Sequence, residues 1–152
     1  MCDIQGRLFE LSVDRKFSSA YFVKAFMTSD TAKELDSEYN RMQWAGEEYL
    51  LEEILEKTGD VFAEDGQIFP KDILYWIGYL YRYWHYYTGE TSAKIYKQAP
   101  VETMVRNYMI FHTMDPALAI EDLKEIYNQK LWVRIQLSRL EIVSDVLMQG
   151  FE

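Results

Sequence analysis

Residues 72–87 read DILYWIGYLYRYWHYY, a run that is apolar nearly all round a helix. A helix of that kind is stable only when other helices cover it, so it belongs at the centre of a domain. Pro70 sits where the first turn of a helix accepts it, Asp72 favours the positive end of the helix dipole, and Thr88-Gly89 stops the run. Gly78, Arg82 and His85 interrupt the apolar stretch of residues 73–87, which is too short to span a bilayer. The remaining elements must therefore supply apolar faces that close round this one.

Those elements read mostly as helices. Residues 7–13, RLFELSV, alternate in polarity and carry a strand signal, whereas residues 18–27 read as a short apolar helix. Ser29, Asp30 and Thr31 are all cap residues, Thr31 with Glu34 makes a capping box, and apolar residues recur at Leu35, Tyr39, Met42, Tyr49, Leu50 and Ile54. This predicts one long helix over 31–58, or two with a bend near Ala45-Gly46, capped by Gly59 and followed by a loop over 59–69. Short helices follow at 91–98 and from Pro100 to about Met114. Asp115-Pro116 is an N-cap with proline at the first helical position. It opens an amphipathic helix with Ala119, Leu123, Ile126 and Tyr127 on one face. LWVRIQL (131–137) alternates like a strand, and Leu140, Val143 and Leu147 then form a helical stripe. The expected fold is all-α, a single helical domain over 1–152. About six helices pack around the aromatic helix 72–87, with a minor two-strand pairing of 7–13 with 131–137 as the variant.

At 152 residues the chain is long enough to bury a core without staples. Its single cysteine, Cys2, forms no internal disulfide, and no cysteine cluster suggests zinc. The start Met-Cys-Asp-Ile has no charged n-region and no apolar h-region, so no signal peptide and a cytoplasmic location are expected. The net charge of −9 is uneven: residues 1–66 carry 15 acids and 7 bases, residues 67–152 carry 10 and 9. Such a half-chain repels phosphate backbones and anionic membranes, which argues against nucleic acid or a membrane as partner. The aromatic content is high, with 12 Tyr, 8 Phe and 4 Trp, and it suits cores and interfaces alike.

Three constellations could carry function. Glu48, Glu52 and Glu56 stack at i, i+4 and i+8, and like charges so placed repel by a few tenths of a kcal/mol per pair. A row kept at that cost suits a docking surface for a basic partner. Tyr39, Arg41, Trp44 and Tyr49 flank it and are the residue types that anchor interfaces. Arg82 and His85 could grip an anion in an aromatic pocket, although a charge on so apolar a helix needs a partner, and the acids of residues 31–56 offer one. Arg106, Asn107 and His112 have an Arg-Asn-x4-His spacing that resembles the motif of HEPN-domain ribonucleases. That resemblance implies His112 as acid/base group, with Arg106 stabilising the phosphate and Asn107 orienting it. Neither histidine follows a glutamate by three residues, which excludes a di-iron bundle, and no phosphate loop or nucleophile elbow appears. No metal or cofactor is expected.

The stretches AKELDSEYNRMQWAGEEYLLEE, ILYWIGYLYRYWHYYTGETS and FHTMDPALAIEDLKEIY together resemble a group of small bacterial proteins encoded beside genes of toxin–antitoxin type, over about 60 of the 152 residues. The resemblance implies a small cytoplasmic protein that neutralises a toxin. The sequence reading is therefore a non-catalytic protein-binding module acting through the surface of residues 34–56, with a HEPN-like ribonuclease as the alternative. It leaves homo-oligomerisation open.

Overall fold

The structure, a computed structural model, describes residues 1–39, 41–59 and 66–150, with Gln43 described by its backbone alone. Among these residues every regular element is helical: α1 (Cys2–Asp14), α2 (Ser19–Met27), α3 (Asp30–Leu35), a 3-10 turn (Arg41–Trp44), α4 (Glu47–Thr58), α5 (Lys71–Thr88), α6 (Ser92–Gln98), α7 (Val101–Phe111) and α8 (Pro116–Gln149). The all-α expectation holds. There are eight α-helices rather than about six, and the two-strand pairing is absent, because both segments assigned to it are helical.

The amino-terminal strand signal fails for a packing reason. Gln5, Gly6, Leu8, Phe9 and Ser12 are the buried residues of α1, and they recur at helical spacing on one face. The alternation of Phe9, Leu11 and Val13 is incidental, since Leu11 and Val13 only skirt the core. That buried face lies along α5, the largest helix pairing in the molecule. Two glycines allow the close approach. A Cβ on Gly78 would lie 2.5 Å from the Gln5 carbonyl oxygen, and one on Gly6 would lie 2.7 Å from the Tyr75 ring.

α5 also packs against α6, α7 and α8. Leu74, Ile77, Leu80, Tyr81 and Trp84 are fully buried with Phe9, Phe22 and Phe26. Phe9 meets the rings of Phe22, Phe26 and Tyr81 edge-on at 5.4–6.3 Å. One flank of α5 is nevertheless at the surface: Tyr75, Tyr79 and Tyr83 are partly exposed, and Tyr86 and Tyr87 are open to solvent. A tyrosine can lie there because its ring packs while its hydroxyl stays wet.

The expected span 31–58 is divided near Ala45-Gly46, as its two-helix alternative has it, but the first helix already ends at Leu35. Ser29, not Thr31, caps α3, with its Oγ accepting from the Ala32 N–H at 3.1 Å. Thr31 instead lies buried in the first turn, and its Oγ1 is the buried side-chain atom without a partner among the described residues. The helix stops at Leu35 because Asp36 turns inward to meet Arg82, and Gly46 then caps α4. Of the expected loop 59–69, residues 60–65 lie outside the described residues.

Asp115 caps α8 as the sequence indicated, its Oδ1 accepting from the N–H groups of Ala117 and Leu118 at 2.9 and 3.4 Å. The helix then runs on without a break to Gln149. Its first half is rooted in the body: Ala119, Ile120 and Leu123 are buried, Tyr87 donates to Glu121, and Lys124 pairs with Glu90. Its second half is exposed almost throughout.

Candidate functional site

The residues expected to bind a partner lie on the short connection between α3 and α4. In a 3-10 turn, residues three apart stand on the same side. Arg41 and Trp44 form one such pair and face solvent, whereas Met42 and Ala45 form the other and pack on the core. The turn is thus anchored from below while it presents its tryptophan. Trp44 is 92% exposed and Tyr39 94% exposed. With Arg41, Met42 and Tyr49 they line an open groove of about 750 Å³, and Glu34 stands at its edge.

Glu48, Glu52 and Glu56 are exposed on α4, opposite the buried Leu50, Leu51 and Ile54. They do not line the groove; they continue the surface beside it. Their neighbours are already engaged, with Glu47 on Arg7 at 3.0 Å and Glu53 on Lys57 at 2.7 Å. Among the described residues Glu48, Glu52 and Glu56 make no ion pair. The row is therefore uncompensated negative charge next to exposed aromatic area.

Arg82 and His85 form a different kind of site. Arg82 is only 1% exposed. Its guanidinium donates to Gln5 Oε1 and to Asp36 Oδ1, both at 2.8 Å, and to Ser92 Oγ at 3.2 Å. Asp36 in turn accepts from the Ser92 N–H at 2.7 Å. His85 Nδ1 lies 2.7 Å from the Glu90 carbonyl oxygen. These bonds lie inside the protein and tie α1, the end of α3, α5 and α6 together, so the buried guanidinium serves the fold. The acid that Arg82 needs is Asp36.

Arg106 and His112 are both exposed on or just beyond α7. Six residues of helix separate their directions by about 120°. His112 lines a cleft of about 480 Å³ with Trp76, Tyr79, Tyr108, Asp72 and Glu10, and Arg106 is not part of its lining. His112 stacks on Tyr108 at 4.4 Å, and its Nδ1 lies 2.8 Å from the Tyr108 carbonyl oxygen. Asn107 Nδ2 donates to Thr103 O at 2.8 Å. Tyr75, at the same cleft, donates to Asp3, and that bond holds its hydroxyl up at about 12. Aromatic faces and carboxylates with no Lys or Arg in the lining suit a cation, not a phosphodiester.

The chain matches no family model, no curated protein and no solved structure.

No group of three or more His, Cys, Asp or Glu among the described residues is placed to hold a metal ion, and no described helix is long and apolar enough to cross a membrane. Sequence reasoning brought together Tyr39, Arg41, Trp44 and Tyr49, which do share one groove. It missed the outer half of α8. The stripe Leu140, Val143 and Leu147 was legible, but Trp132, Ile135, Ile142 and Val146 on other sides of the same helix exceed what one buried face requires. That surplus was the available signal.

Proposed function

We propose that this protein is a non-catalytic protein-binding module that grips a basic partner protein through the groove of Tyr39, Arg41, Trp44 and Tyr49, with the acid row Glu48, Glu52 and Glu56 beside it. The observation that carries the reading is Trp44, held 92% exposed on a turn whose other side is anchored in the core. A large aromatic left in water beside a groove is what a partner's side chains cover at an interface centre. The acid row steers a basic partner towards it and discriminates against acidic ones. Neutralising a basic toxin is the activity that fits this surface and the sequence resemblance together.

The test is affinity capture of the tagged protein from its host, with bound proteins identified by mass spectrometry. The capture is then repeated with Trp44→Ala and with Glu48→Lys/Glu52→Lys/Glu56→Lys. The reading expects one stoichiometric basic partner, lost or strongly weakened in Trp44→Ala. The triple reversal slows association and inverts its dependence on ionic strength, because salt then screens a repulsion. Retention of the same partner by both variants would refute the assignment of this surface.

A further inference from the structure

The outer half of α8, residues 130–149, carries ten apolar side chains that are each at least half exposed. At 100° per residue, Val133, Leu137, Leu140, Val143 and Leu147 fall within about 60° of the Leu140 direction, and Trp132, Ile135, Ile142 and Val146 lie further round. Lys130, Arg134, Glu141 and Asp145 share a strip of about 60°, and Arg139 stands about 100° from Leu140 on the other side. A helix so wrapped in apolar residues is one built to be covered.

The chain as a whole exposes more surface than a compact one of its mass: 9493 Å² against about 8,100 Å² for 18.1 kDa. The arm's ten half-exposed apolar side chains are part of that excess, and a standard interface takes roughly 800 Å² from each partner.

We propose that the occupant is a second copy of this chain. Residues 132–148 of the two copies lie antiparallel about a two-fold axis at Leu140. An interface on such an axis must be complementary to itself, with each residue contact made twice. The sequence meets that condition along the centre of the stripe. Val133 falls opposite the partner's Leu147 and Leu140 opposite the partner's Leu140, with Leu137 and Val143 flanking this line on either edge. Gln136 meets the partner's Ser144, so no charge is buried on the seam. Net charge selects the orientation. Residues 1–129 carry 22 acids and 13 bases, a net of −9, whereas residues 130–149 carry two acids and three bases, a net of +1. Parallel pairing sets the two acidic bodies side by side, and antiparallel pairing sets them at opposite ends of arms about 30 Å long. This surface is separate from the Trp44 groove and does not depend on the function proposed there.

The test uses the full-length chain in sedimentation velocity at micromolar concentration. The expected result is a dimer of twice 18.1 kDa. Leu140→Asp/Val143→Asp places unpaired charge on the seam and weakens association at least about tenfold. The body still melts as in the wild type, because neither side chain belongs to its core. Orientation is read by disulfide trapping in a Cys2→Ser background. Val133→Cys mixed with Leu147→Cys yields a cross-linked dimer, and neither variant cross-links alone. A monomer at these concentrations, or an arm that binds only a different protein or lipid vesicles, overturns the proposal. Efficient cross-linking of Val133→Cys to itself overturns the antiparallel arrangement.

Discussion

Helix α5 and the outer half of α8 both carry more apolar surface than one buried face needs, yet α5 is covered on all but its tyrosine flank and the outer half of α8 is largely bare. Around α5 stand α1, α6, α7 and the root of α8, and Trp84 at its far end is fully buried. Residues 135–149 are exposed almost throughout, and Trp132 is 64% exposed, while Leu131 and Arg134 still share a pocket with Gln98 and Thr103. The two segments make the same demand on their surroundings. The difference shows that apolar pattern states how much cover a helix needs and is silent on which chain supplies it. Even within α8 the contrast is sharp. Its root is pinned by Ala119, Ile120, Leu123 and the Lys124–Glu90 pair, and beyond Arg134 the described residues of the arm are exposed almost throughout.

The comparison can be broken most sharply with its two tryptophans. Trp84→Ala removes a buried ring and its hydrogen bond to Glu90, and should cost about 3–5 kcal/mol in chemical denaturation. A cost near zero would mean that α5 is not the centre of the body. Asp36→Ala should fall in the same range of about 3–5 kcal/mol, because it leaves the Arg82 charge buried with its ion pair gone. The next effect in size is Gly78→Ala. The added Cβ would press within 2.5 Å of the Gln5 backbone, where no flexible side chain can give way, at about 1–3 kcal/mol.

A smaller effect separates the root of α8 from the arm. Burial alone would raise Glu90, but hydrogen bonds from Lys124, Trp84 and Gln98 outweigh it and hold the carboxyl at about 2 instead of 4.5. Its contribution to stability is therefore fully present above about pH 4.5 and is lost as the pH falls towards about 2. Thermal melts of the wild type should lose stability more steeply through that window than Glu90→Gln, and equal slopes would remove Glu90 from the account. The smallest effect belongs to Trp132→Ala. It should change the stability of the dilute monomer by less than about 0.5 kcal/mol while it weakens self-association. A cost comparable to that of Trp84→Ala would show the arm folded back on its own body.

Much of this was legible beforehand, and the misses have physical causes. The cap and proline at Asp115-Pro116 placed the start of α8 correctly, since both signals act within a single turn. Thr31 was a plausible cap, but Ser29 took the role, because a cap is chosen by where the chain enters the helix and three adjacent residues could serve. Leu35 to Ile54 kept a helical rhythm across a break caused by Asp36, whose partner Arg82 is 46 residues away. Tyr39, Arg41, Trp44 and Tyr49 were named together on adjacency alone, and the turn does gather them. Arg106 and His112 were equally close in the chain, yet helical geometry set them apart.

The sequence by itself determined the helical class, the cap at Asp115 and the need of residues 72–87 for cover, because these depend on interactions within a turn or on the sum of apolar surface. Tertiary structure alone decided where the 31–58 rhythm breaks, which acid neutralises Arg82, and which apolar helix is enclosed. Each of these turns on contacts between residues tens of positions apart, and local spacing carries no energy from such contacts.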